Sequence, residues 1–210
     1  MGAQPASERV RVRRVADRGR YDRETIDAIL DEALVAHVGV HTERGPIVLP
    51  MTFGRSHDTV YLHGAVGNDL LRQAAGHDVC VTVTLLDGLV VARSAFHHSM
   101  NYRCVVVRGQ ARRVDDEAEM ALALRLITDR FGQGRYDDCR GANADELRRT
   151  TVLAVALDEA SAKVRQGGPI DDADDLPLGH WAGVVPMELV RGTPEPAPDL
   201  PSGIPTPGYL

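Results

Sequence analysis

Apolar positions along this chain change period several times, and each change marks an element. Residues 79–86 and 89–95 are runs of Val, Leu and Thr separated by Asp87 and Gly88; a third run, 102–107, leads to Gly109. Asp-Gly between β-branched runs predicts a hairpin, because a type I′ turn needs two residues that tolerate φ above zero. Three consecutive antiparallel strands this apolar cannot leave one face fully wet, so they predict the wall of a barrel. Residues 96–101 (Phe96, His97, His98, Ser99, Met100 and Asn101) then gather polar chemistry at the rim of that wall.

Helical spacing governs other stretches. Ile26, Ile29, Leu30 and Leu34 form a stripe behind Asp22, a good N-cap, and predict a helix over 23–34. Met120, Leu122, Leu124, Leu126 and Ile127 predict a second over 115–131, with acids in its first turn. A short helix over 68–75 is closed by Gly76. Strands are predicted at 35–41, 46–53, 59–63, 151–157, 161–165 and 181–186, with Pro50 marking a bulge or an open edge. Alternating Arg and Val predict an edge strand over 10–15. The N-terminal residues 1–9 read as disordered, residues 10–191 as one domain, and 192–210, with six prolines, as a dispensable disordered tail. Short hairpin-linked strands with few helices predict a mainly β fold, an antiparallel barrel with flanking helices.

Composition narrows the class. A chain of 210 residues with 43% hydrophobic and 26% charged residues suits one globular domain. A net charge of −6 disfavours nucleic acid and acidic membrane surfaces as partners. Three cysteines without a CxxC pair point to a reduced, cytoplasmic setting. The chain has no apolar run long enough to span a bilayer.

No nucleophile elbow, P-loop or GxGxxG fingerprint is present. His97 and His98, taken with His63 or His37, invite a metal, but adjacent residues of a strand point to opposite sides, so rim hydrogen bonding is the expectation and no metal is assigned. Asp171, Asp172, Asp174 and Asp175 read as a solvated acidic loop, because no EF-hand spacing follows. The segment from Tyr61 through His63 and Gly64 to Asn68 and Arg72 is either a phosphate seat or an ordinary strand-to-helix turn.

The succession PIVLPMTF, VYLHGA, then LLDGLVVARSAFHHSMNYR, with SAKVRQGGPIDD and WAGVVP behind it, resembles the flavin-nucleotide-binding proteins related to pyridoxamine 5′-phosphate oxidase, in the branch that includes nitroimidazole-resistance-type proteins. The resemblance covers about residues 10–190. It implies a split antiparallel β-barrel of the FMN-binding type, a homodimer with two flavin sites at its interface, and an FMN-dependent oxidoreductase acting on a small organic substrate. It also implies that Val48, Leu49, Pro50, Met51 and Thr52 lay their backbone along the flavin. His63, Gly64, Asn68 and Arg72 would follow along the ribityl chain and phosphate; Arg103 and Cys104 would flank the ribityl, and Lys163 and Trp181 would come from the C-terminal region. Asp69 stands where the relatives carry the basic phosphate contact, and Arg72, one turn on, is its compensating cation. His97, His98 and Tyr102 are the candidates for proton traffic at the mouth. Related barrels also hold haem or a deazaflavin, with His63 or His97 as an axial ligand, and a non-catalytic flavin-binding or sensing protein is the third reading.

Overall fold

A computed structural model describes residues 3–210; the first two residues of the segment expected to be disordered lie outside the described residues. Two antiparallel sheets face each other. The first contains β1 (Gly19–Arg20), β2 (Ala36–Thr42), β3 (Gly45–Met51), β6 (Asp78–Val91), β7 (Ser99–Gln110), β10 (Ala160–Arg165) and β11 (Gly183–Pro186), in the order β1-β10-β7-β6-β2-β3 with β11 also on β6. The second contains β4 (Phe53–Ser56), β5 (Thr59–Ala65), β8 (Arg112–Arg113) and β9 (Thr150–Ala156), in the order β4-β5-β9-β8. Val38, Val81, Val83 and Val105 of one sheet interdigitate with Phe53, Leu62 and Leu153 of the other in one buried cluster. The expected split antiparallel barrel is therefore the fold.

The helices plug and brace this barrel. The helix α1 (Arg23–Glu32) buries Ile26, Ile29 and Leu30 in the barrel core, and Asp22 Oδ1 accepts from Thr25 N at 2.8 Å. Asn68 caps α2 (Asp69–Ala74) in the same way, and Gly76, at φ +79°, lets the chain turn back after it. The amphipathic α3 (Glu117–Thr128) packs on β4 in a second cluster with Tyr61, Val152 and Ala154. Contact is close because position 54 is Gly: a Cβ there would lie 2.9 Å from Leu126 Cβ and 3.0 Å from the Ile127 backbone nitrogen. The last helix, α4 (Ala144–Arg148), closes with a capping box between Asn143 and Glu146.

Two local expectations are overturned. No hairpin forms at Asp87-Gly88; β6 runs straight through as a 14-residue strand, and Asp87 is the extra residue of a bulge between Leu86 and Gly88. The Asp87 carboxylate is taken by Arg103 across the ladder, at 2.7 and 3.0 Å, and a Gly88 Cβ would meet the Val185 carbonyl at 3.0 Å. This glycine serves the close approach of β11, not a turn. The tight turn lies elsewhere, at His57-Asp58, where His57 has φ 43°. The expected strand over 10–15 is irregular chain, because Arg9 is spent on Asp78 and Glu159 and Val10 is buried.

Residues 192–210 form no helix or strand, yet their end is fastened. The Tyr209 hydroxyl donates to Asp138 at 2.6 Å and accepts from Arg135 at 3.3 Å; its ring fills the space a Gly132 side chain would need. The tail adds one aromatic contact and two side-chain hydrogen bonds to the domain through Tyr209, and no helix or strand. Truncation after Arg191 should leave the thermal midpoint within about 2 °C. Calorimetry showing a larger loss would mean that the tail carries core-like packing.

Candidate cofactor site

The strand β3 is the open edge of the first sheet. Pro46 and Pro50 pair with His41 and His37 of β2, a spacing that puts both prolines where the backbone points off the edge and a missing N–H costs no ladder bond. The edge then presents carbonyls at Pro46, Val48 and Pro50 and a single donor, the Val48 N–H. Val48 and Leu49 are exposed there, while Met51 packs inward on the core. An apolar edge strand of this kind invites cover by a second chain or a ligand. After Thr52 the chain crosses to the second sheet as β4.

At one end of β3 sits a charged triad. Asp69 accepts from Arg72 at 2.5 Å and from Arg44, in the β2–β3 turn, at 2.9 Å. Arg72, with Arg44 beside it, holds the Asp69 carboxyl below the usual carboxylate range. Asp69 is thus the shared counter-ion of two guanidiniums, and the triad is net positive. Arg44 went unnoticed in the sequence because it lies 25 residues from Asp69.

His63 follows Leu62 on β5. Burial pushes its pKa below 6.5, its Nδ1 is buried without a partner, and no hydrogen bond is made by its Nε2 among the described residues. The ring is a neutral imidazole with spare ligand capacity. Gly64 faces the opposite side, where a Cβ would press on Leu71 Cδ1 at 2.8 Å.

The other nominated residues separate. Arg103 is locked between Glu32 and Asp87, which raise its pKa, so its guanidinium is committed within the chain. Cys104, opposite Lys163 in the β7–β10 ladder, is a thiol that burial holds protonated. His97 Nε2 lies 3.1 Å from Asp172, while His98 Nδ1 lies 3.0 Å from the Ser94 carbonyl. Tyr102 pairs with Arg165, and Trp181 is exposed beside Gly183. Within one chain these residues do not converge on one cavity. Arg165, missed in the sequence, is 5% exposed; it donates to Asn101 and to the carbonyls of Gly167 and Gly168, all neutral acceptors.

Two clefts flank these groups. One, of about 290 Å³, is lined by Gly39, Val48, Cys80, Asp78, Arg9 and Arg108, beside β3. Another, of about 630 Å³, lies between α1, α3 and the tail, lined by Leu34, Arg55, Leu126, Arg130 and Tyr209; it contains none of the nominated residues. All three cysteines are free, and no helix among the described residues is long and apolar enough to cross a membrane.

A family model described as pyridoxamine 5′-phosphate oxidase matches residues 22–164. The structure of the flavocytochrome Anf3 from Azotobacter vinelandii is 40% identical over 99% of this chain and 97% of that one, with a TM-score of 0.93. The FAD and heme binding protein from Mycobacterium smegmatis is 38% identical, covering 91% of this chain and 95% of that one, with a TM-score of 0.86. A putative 5-nitroimidazole antibiotic resistance protein from Bacteroides thetaiotaomicron is 27% identical over 70% of this chain and 86% of that one, with a TM-score of 0.57. No curated protein matches.

Proposed function

The chain belongs to the pyridoxamine 5′-phosphate oxidase family, and from that premise we propose that it is a homodimeric redox protein that holds both a flavin nucleotide and a haem. The observation that carries this reading is similarity along essentially the whole chain, at 40% and 38% identity, to a flavocytochrome and to an FAD- and haem-binding protein. This shifts the expectation from FMN alone towards two cofactors.

The residues of this chain suit both groups. The β3 edge offers the flavin an apolar strand with outward carbonyls, and Arg44 and Arg72 offer its phosphate two cations already oriented by Asp69. His63 would hold a haem iron, because burial disfavours its protonated form and neither ring nitrogen has a hydrogen-bond partner among the described residues. When bound, flavin supplies hydride and one-electron chemistry and haem a one-electron carrier. The protein's share is to bind, orient and shield. Cys104, held protonated, is no nucleophile in this scheme. His98, whose Nδ1 lies 3.0 Å from the Ser94 carbonyl, is the candidate for carrying protons at the rim.

Dimerisation supplies what one chain lacks. Besides the open edge, the far end of β6 and β7 exposes Leu86, Leu89, Phe96, Met100 and Val185. Such a patch needs cover. Absorbance of the purified protein, with sedimentation alongside, tests the reading. Flavin bands, a Soret band and a dimer are expected, and His63→Ala should lose the Soret band while keeping the flavin. A 22.8 kDa monomer at micromolar concentration, or flavin with no haem after haem supplementation, overturns it.

A further inference from the structure

We propose that His97, Asp172 and Asp175 form a binding site for a divalent first-row transition ion of the zinc type, which clasps the acidic loop to the corner between β6 and β7. One ligand atom from each of these three side chains lies within 4.8 Å of the other two. Donors around one ion at bond lengths of about 2.1 Å sit roughly 3.0–3.5 Å apart, so closing on a metal needs movements of about 1 Å or less from each side chain.

The backbone explains why these three meet. Residues 173–175 form a 3-10 turn whose N-cap is Asp172. In that geometry positions i and i+3 eclipse, which brings the Asp172 and Asp175 carboxylates to one side of the turn. His97 ends a second 3-10 turn, Ala95–His97, and faces them. Both supports are anchored independently of any ion. Asp171 accepts from the Arg93 backbone at 2.9 Å and from its guanidinium at 2.8 Å, and its side chain is only 2% exposed. Arg165 holds the start of the same loop through the Gly167 and Gly168 carbonyls. The loop is thus pinned at two points with its next carboxylates turned towards an imidazole.

Charge completes the argument. Asp171 has Arg93, but neither Asp172 nor Asp175 has an Arg or Lys partner among the described residues. A single imidazole, in either protonation state, cannot balance two carboxylates; a divalent cation balances them fully. The nitrogen donor selects against Ca²⁺ and Mg²⁺, which take oxygen ligands, and towards the imidazole-binding ions. Three protein donors leave the remaining positions to water. The site is separate from His63 and from the Arg44–Asp69–Arg72 triad, and does not depend on which flavin or haem is bound.

Isothermal titration of Zn²⁺ into the chelator-stripped, cofactor-loaded full chain tests it. One saturable equivalent per chain is expected. His97→Gln and Asp175→Asn should each weaken binding about tenfold or more, since loss of a ligand costs at least as much as loss of an outer partner. Asp174→Asn, which removes the same charge one residue away, should leave it within about twofold. Bound Zn²⁺ should also raise the thermal midpoint of the wild type and not of Asp175→Asn. Absence of a saturable equivalent overturns the proposal. So does equal weakening by Asp174→Asn, which would make the loop a diffuse counter-ion surface, and so does displacement of Zn²⁺ by equimolar Ca²⁺.

Discussion

Replacing Phe53 by alanine is expected to lower the thermal midpoint by roughly 10 °C, from a loss of about 3–5 kcal/mol. Phe53 is fully buried and is the first residue of β4, where the chain passes from one sheet to the other. Its ring belongs to the barrel core and also lies 5.0 Å beneath the guanidinium of Arg130. That arginine leaves the end of α3 to reach the carbonyls of Leu30, Asp31 and Ala33, so it satisfies the last turn of α1. Arg130 is half-buried, and burial lowers its pKa. Truncation at Phe53 therefore opens a cavity and removes the aromatic platform of a half-buried cation, two losses at one position. Phe53→Leu should cost less than half as much, because most of the volume survives. A shift below about 3 °C for the alanine variant in calorimetry would show that the two layers are not joined here.

The double substitution of Arg44 and Arg72 by alanine is expected to weaken flavin binding by about ten- to hundredfold. Each charge-assisted contact contributes about 1.5–3 kcal/mol where water is excluded, and less where it is not. Both side chains are largely exposed, 84% and 67%, so the lower end of that range applies. Asp69 both orients and competes for the two guanidiniums. Asp69→Asn should strengthen binding a few fold by removing the competitor. Flavin-fluorescence titration at two salt concentrations separates the Coulombic part, which should shrink at high salt. If the double variant moves the dissociation constant by less than about twofold, the phosphate is seated elsewhere, and the cleft lined by Arg9 and Arg108 becomes the next place to look.

Features that depend on neighbours in sequence were readable from the chain. Asp22, Asn68 and Gly76 mark helix ends because a cap acts within three residues, and each lies at the predicted end. Apart from residues 10–15, period-2 and period-3.6 patterns placed the strands and α3, since hydrophobic burial is a property of each residue's own face. Asp87-Gly88 was misread for a complementary reason. Its turn chemistry is real, but Arg103, 16 residues on, and the backbone of β11 use the same two residues for other ends.

The chain by its own local order settled the antiparallel barrel, its capped helices and its likeness to flavin-binding relatives. Only the folded arrangement decided which charges meet. Asp69, which the sequence paired with Arg72 alone, becomes the counter-ion of two arginines once the β2–β3 turn lies beside α2. His97 meets Asp172 across 75 residues of sequence, and His63 is left without a partner by the walls around it. Ion pairs and ligand sets depend on distances of a few ångströms between segments. Strand register sets those distances, and register comes from the packing of the whole barrel rather than from any stretch of it.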